Sequence, residues 1–275
     1  MTMTTPMQEV KVFYRAHNKG SNEGALQDCQ TAGYQALFMP QAADARIEGK
    51  LPWNQWVTTP SIRATGIPTG EQEAFTIYWH QPTAFATPEG ITAAKTKGLV
   101  NGAGRLDQTA FDTIYSFAAA QNPHLIIPHR KLLELTSGPI TLKAAATDSR
   151  VIAMLDGQER VARYLPAHAQ AYSTKTIGVW HSDDLNHESP LARLLFLGYL
   201  DSGGLFGNGF LSFNGRFAGV RNASAEGATQ KIAAPTTTQT IVNPTLETLL
   251  ETLQPFIAPN SREAVEAELR KLYQP

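Results

Sequence analysis

Four short apolar runs, each closing on a histidine, set the strongest limit on how this chain can fold. They are FYRAH ending at His17, IYWH at His80, LIIPH at His129 and GVWH at His181. Runs of this length, rich in β-branched and aromatic residues, read as buried strands. Between them, DQTAFDTIYSFAAAQ and GQERVARYLPAHAQAY space their apolar residues as helices do, with Pro166 predicted to interrupt the second. Near the start, Val10 to Ala16 reads as a strand, Ala25 to Thr31 as a helix and Tyr34 to Met39 as apolar again, a β-loop-α-β unit. Strands alternating with helical stretches predict an α/β fold: a largely parallel sheet, open or (β/α) barrel-like.

Three stretches stand apart from that alternation. Residues 43–74 carry Pro52, Pro60 and Pro68 among Gly and Thr, and read as an irregular excursion over the surface, suited to a lid. In GNGFLSFNGRFAGVRN, two apolar runs flank Asn214-Gly215, a pair that tolerates the positive φ values of a type I′ turn, so an inserted β-hairpin is expected. After the linker APTTTQT, Leu246, Leu249, Leu250 and Leu253 mark one amphipathic helix and Val265, Leu269 and Leu272 another. Asn260 and Glu263 supply a variant capping box for the second. The predicted organisation is an α/β domain over 1–234, with 235–275 a linker and helical pair packed on it.

Composition narrows the partners. The chain has 275 residues, is 42% hydrophobic and carries a formal net charge of −1, an ordinary globular balance. Nothing in it provides the basic field that nucleic acid or an acidic membrane surface requires, so a small-molecule substrate is the expected partner. The single Cys29 cannot form an internal disulfide, and MTMTTPMQEV lacks the basic-then-apolar pattern of a signal peptide. A reduced, cytoplasmic setting is expected, with oligomeric state open.

The candidate site follows from the histidines. If the four strands run parallel, His17, His80, His129 and His181 share one rim, the edge where α/β folds bind ligands. Ser189 before Pro190 predicts a helix start, which leaves HSDDLNHE as a loop on that rim. Two chemistries fit. His80, His129 and His181 with Asp184 (or Asp183) would hold a divalent Zn, Mn or Fe ion and activate water. Without metal, His17 and His80 would act as a general acid and base pair, each held in one tautomer by a neighbouring carboxylate. A single strand-end histidine is more often solvated or structural than catalytic, so the recurrence carries this reading. Asp183, Asp184, His187 and Glu188 also suit a polar approach to a helix N-terminus. Trp53, Trp56, Trp79 and Trp180 read as core, with a pocket wall the less common alternative.

A weaker anion site lies in HNKGSNEG. Gly20 and Ser21 leave the backbone free to approach a ligand, and Lys19 supplies charge. Arg130 and Lys131, directly after His129, would stand on the same rim.

The order AHN, NEGAL, AGYQAL and IYWHQP resembles the opening of the phospholipase-C-like phosphodiesterases, over the first third of the chain. That resemblance implies a barrel in which His17 and His80 transfer protons on a phosphodiester. Met39, Pro40 and Gln41 stand where the family's metal-binding versions carry acidic residues. No G-x-S-x-G elbow or H-E-x-x-H helix occurs. The main expectation is therefore a hydrolase of a small anionic substrate. The competing class is a non-catalytic ligand-binding or assembly protein, in which residues 203–223 and the C-terminal helices make contacts and the histidines are incidental.

Overall fold

The computed structural model describes residues 8–16, 21–198 and 203–222. All fall in the first of two compact units, 1–227. His17, Lys19 and Gly20, the expected C-terminal helices and the proposed 234/235 boundary lie outside the described residues.

The strands are β1 (Gln8–Arg15), β2 (Gln35–Ala36), β3 (Val57–Gly66), β4 (Phe75–Trp79), β5 (Gly104–Arg105), β6 (Ile126–Pro128), β7 (Gly138–Thr141), β8 (Thr176–Trp180), β9 (Leu191–Gly198), β10 (Gly204–Phe206) and β11 (Gly215–Asn222). The helices are α1 (Ser21–Thr31), α2 (Met39–Ile47), α3 (Pro88–Thr96), α4 (Gln108–Gln121), α5 (His129–Leu133), α6 (Leu142–Ala145), α7 (Ser149–Met154) and α8 (Gln158–Tyr172). One mixed sheet runs in the order β1-β11-β3-β9-β10-β8-β7, with β2, β4, β5 and β6 attached along it. Among the described residues only β8–β10 and β3–β11 pair in parallel; every other ladder is antiparallel. The expected largely parallel sheet or barrel is thus overturned. Alternating apolar strands and helices do not dictate strand direction, and most neighbours here meet across antiparallel ladders.

The two central strands are where the sequence reading and the fold part. LARLLFLG, expected as a helix after Ser189-Pro190, is the strand β9, buried along nearly its whole length. A short apolar run buried on both faces has no period that separates strand from helix. β3 falls inside the supposed surface excursion, and all ten of its residues are buried. Its Pro60 sits where the register against β9 shifts, between Thr58↔Phe196 and Ile62↔Leu194. A bulge tolerates a proline that a regular ladder would not. The bulge also has structural uses. Thr59 Oγ1 donates to Leu195 O at 3.0 Å, and Ser61 Oγ accepts the Met39 N–H at 2.8 Å.

Neighbouring strand residues point to opposite faces, so the sheet divides the core in two. Leu194, Ile77 and Phe217 face one cluster with α1, α3 and α4, while Leu195, Tyr78 and Ala218 face another with α2, α7 and α8. Asp107 caps α4, accepting from Thr109 N at 2.9 Å and Ala110 N at 3.2 Å. Helix α8 continues through Pro166, held by its buried Val161, Tyr164 and Leu165. No helix among the described residues is long and apolar enough to cross a membrane.

The expected hairpin around Asn214-Gly215 does not form: β10 pairs β8 and β9, and β11 pairs β1, β2 and β3. Gly215 answers to space rather than to a turn. A Cβ there would lie 2.4 Å from the Ser21 carbonyl oxygen at the start of α1.

Candidate functional site

Each described histidine of the expected cluster is engaged by its own neighbours. His80 Nε2 lies 2.8 Å from the Ala153 carbonyl and therefore donates; Nδ1, 3.0 Å from Ser61 Oγ, then accepts the serine hydrogen. Burial pushes its pKa down to about 4, so the ring is a neutral bridge from the β3 bulge to α7. His181 is likewise pushed down to about 4, by burial and then by the Arg150 and Arg63 guanidiniums; its Nδ1 accepts from Arg150 at 2.9 Å. Arg150 is itself clamped by Asp148 at 2.6 Å and 3.0 Å. His129 is buried between Thr76 Oγ1, 3.0 Å from Nδ1, and Asp183 Oδ1, 2.9 Å from Nε2.

Asp183 is largely exposed. Burial raises its pKa, but the Leu185 amide and His129 outweigh that and hold it below the ordinary carboxylate range. Asp184 is buried and serves two arginines. Arg193 binds it with two nitrogens, at 2.7 Å and 2.8 Å, and Arg63 donates to the same carboxylate. Both oxygens of this Asp are thus engaged by arginine. Among the described residues no three His, Cys, Asp or Glu are grouped to hold a metal, so the expected set of His80, His129, His181 and Asp184 is not brought together there. Arg130 and Lys131 are exposed on α5, and Ser21 is buried against Glu23 and Lys95, at 2.7 Å and 2.8 Å.

What the strands do assemble is a row of side chains across four of them. The ladder partners Thr58↔Phe196, Phe196↔Phe206 and Phe206↔Trp180 carry it through β3, β9, β10 and β8. The Phe196 and Phe206 rings stack at 4.4 Å, and Phe206 and Trp180 at 6.0 Å with planes 11° apart. Such cross-strand aromatic contacts stabilise the pair beyond its buried area. Part of the row, Thr58 to Phe206, lines a cleft of about 590 Å³ together with Trp56, Phe210, Phe213 and Asn22. That volume is within the range of ligand sites.

The far wall of the cleft comes from the segment GGLFGNGFLSFNG, 203–215, which alternates in burial. Leu205, Gly207, Gly209 and Leu211 are buried, while Phe206, Asn208, Phe210, Ser212 and Phe213 are not. The buried positions are tied down. Gly207 N donates to Trp180 O at 2.8 Å, Leu211 N to Gly102 O at 3.0 Å, and Asn22 Nδ2 to the Phe210 and Leu211 carbonyls at 3.3 Å and 3.2 Å. A Cβ on Gly209 would stand 2.5 Å from Leu194 O, so that backbone lies directly on β9. The Phe210 and Phe213 rings meet at 4.5 Å with planes tilted by 34°, and remain 37% and 55% exposed, against the usual fate of phenylalanine.

Sequence reasoning missed this surface. The sequence reading admits the tryptophans as a pocket wall, but places Phe196 in a helix and Phe210 and Phe213 in a hairpin. The Gly-Asn-Gly of 207–209 beside Phe206 and Phe210 is the readable signal.

A solved structure described as accommodation of massive sequence variation in Nanoarchaeota by the C-type lectin fold is similar to this chain, with a TM-score of 0.67. The two are 34% identical, over 78% of this chain and 98% of that one. No protein-family profile and no curated protein matches. The match overturns the hydrolase expectation, and the phosphodiesterase alternative falls with the barrel it required.

Proposed function

The chain belongs to the C-type lectin fold family, and from that premise we propose that it is a non-catalytic binding protein whose recognition surface is the aromatic cleft. One observation carries the reading: residues 203–215 are anchored through backbone atoms, the Phe210 carbonyl included, while the side chains of Asn208, Phe210, Ser212 and Phe213 are left unburied. Side chains at 208, 210, 212 and 213 can change without disturbing the hydrogen bonds at 207 and 211. The solved relative is described by its accommodation of sequence variation, and we place the same capacity in this chain on those outward positions.

The chemistry of the surface supports binding. Aromatic side chains supply large contact area at small entropic cost, and the cleft places four phenylalanines and Trp56 around a few polar groups. Beneath it the sheet is rigid and doubly packed, so ligand contacts need not first order the protein.

The test is selection of displayed random peptides on the full chain, followed by affinity measurement on the Phe210→Ala/Phe213→Ala double variant. Loss of about tenfold or more is expected, since buried aromatic anchors dominate such contacts. Equal affinity for both proteins sinks the assignment.

A further inference from the structure

Two walls of the cleft are rings that each lie against a guanidinium. Arg216 Cζ is 5.1 Å from the Trp56 centroid, and Arg193 Cζ is 5.0 Å from that of Phe210. Arg216 also lies 4.7 Å over Tyr14, and the Tyr14 and Trp56 rings meet edge to face at 6.3 Å. Stacking holds this side chain in place without neutralising it. Among the described residues Arg216 has no hydrogen-bond or ion-pair partner, and its Nε is buried and unpaired.

The charge behind Phe210 is also incomplete. Arg63 and Arg193 share the one carboxylate of Asp184, which leaves an excess positive charge in a buried setting. Glu23, next to Asn22 in the cleft wall, is occupied by Lys95 at 2.7 Å. Two wall rings of the apolar cleft are therefore backed by guanidiniums that the carboxylates among the described residues do not pair one for one.

We propose that the cleft binds an acidic segment of a partner protein, seating an aromatic or aliphatic side chain among Phe196, Phe206 and Phe210 while a neighbouring carboxylate pairs with Arg216. This rests on reading the cleft as the recognition surface. A guanidinium matches a carboxylate with two parallel hydrogen bonds, and its stacking on Tyr14 and Trp56 pre-orients that fork. Exposed Tyr14 extends the aromatic surface beyond the cleft, as a protein partner would cover. Arginine, tryptophan and tyrosine together are the residues that dominate such interfaces.

The peptide selection decides it when run in parallel on wild type, Arg216→Gln, Arg216→Lys and the Phe210→Ala/Phe213→Ala variant, each checked for a cooperative melt. The wild-type pool is expected to set Asp or Glu beside an apolar residue. Synthetic peptides from it should bind Arg216→Gln about tenfold more weakly, Arg216→Lys with a smaller loss, and wild type more weakly as salt rises. A wild-type pool without excess acid, or unchanged affinity for Arg216→Gln, overturns the acidic ligand while leaving the cleft as the binding surface. Should Arg216→Gln not fold, acid-free pools or salt-independent binding to wild type overturn it instead. Identical pools on wild type and the phenylalanine variant, or no enrichment at all, overturn the cleft itself.

Discussion

Arg63 and Arg193 stand directly opposite one another on adjacent antiparallel strands, β3 and β9. Like charges in that relation repel, and both side chains are buried. Asp184 resolves the conflict by accepting from both, while Ser182 O takes a further Arg63 hydrogen at 2.9 Å and Asn101 O an Arg193 hydrogen at 2.7 Å. The cluster ties the 181–190 loop to the sheet. It also lies against the recognition segment, since Gly207 abuts Arg63 and Phe210 stacks on Arg193.

Asp184→Asn removes the carboxylate that both arginines share. Breaking a buried pair leaves uncompensated charge, so a loss of about 3 kcal/mol or more is expected in urea unfolding. An unchanged midpoint would show that solvent reaches the cluster.

His80 and His181 predict an acid-side loss of stability. Both are held near pKa 4 in the folded chain, against an ordinary value of 6.5. The unfolded chain therefore binds their protons first, and stability is complete above pH 6.5 and falls as pH drops toward 4. The slope for His80 should approach roughly 1 kcal/mol per pH unit, with a smaller share from half-exposed His181. His80→Gln should flatten the urea-unfolding profile in that window; an unaltered slope would mean the ring titrates freely.

Ser61→Ala takes away both the acceptor for Met39 N–H and the hydroxyl that meets His80 Nδ1. A buried donor left unpaired costs about 1 to 3 kcal/mol, read as a lower unfolding midpoint. Peptide binding at the cleft should stay as in wild type.

Scaffold and display positions should separate in melting experiments. Gly209→Ala and Gly215→Ala would drive a Cβ to 2.5 Å from Leu194 O and 2.4 Å from Ser21 O, so both should lower Tm clearly. Phe213→Ala and Ser212→Ala should move Tm by little while Phe213→Ala weakens binding. Equal Tm losses across the four would dissolve the distinction.

Several elements were legible because their signals are local. The apolar spacing of α4 and α8 and the short runs at β4, β6 and β8 are all readable in the residues themselves. Strand direction was not, because Leu191–Gly198 carries no period and Pro60 disguises β3 as a loop. Choosing both central strands wrongly turned an antiparallel centre into a presumed parallel sheet. The site was lost for a related reason. Histidines at strand ends share a rim only if the strands share a direction. Arg216, Trp56 and Phe210 meet only through pairings that join distant parts of the chain.

β1 and β11 pair from Gln8↔Asn222 through Arg15↔Gly215. The first and last described strands therefore leave the sheet side by side, at the same end of one ladder. Tension applied across residues 8 and 222 would open that ladder like a zipper, one hydrogen-bonded pair after another, instead of shearing all of it together. Joined by a short linker, the same two points would carry no load, and the chain could be opened elsewhere without moving its strands apart.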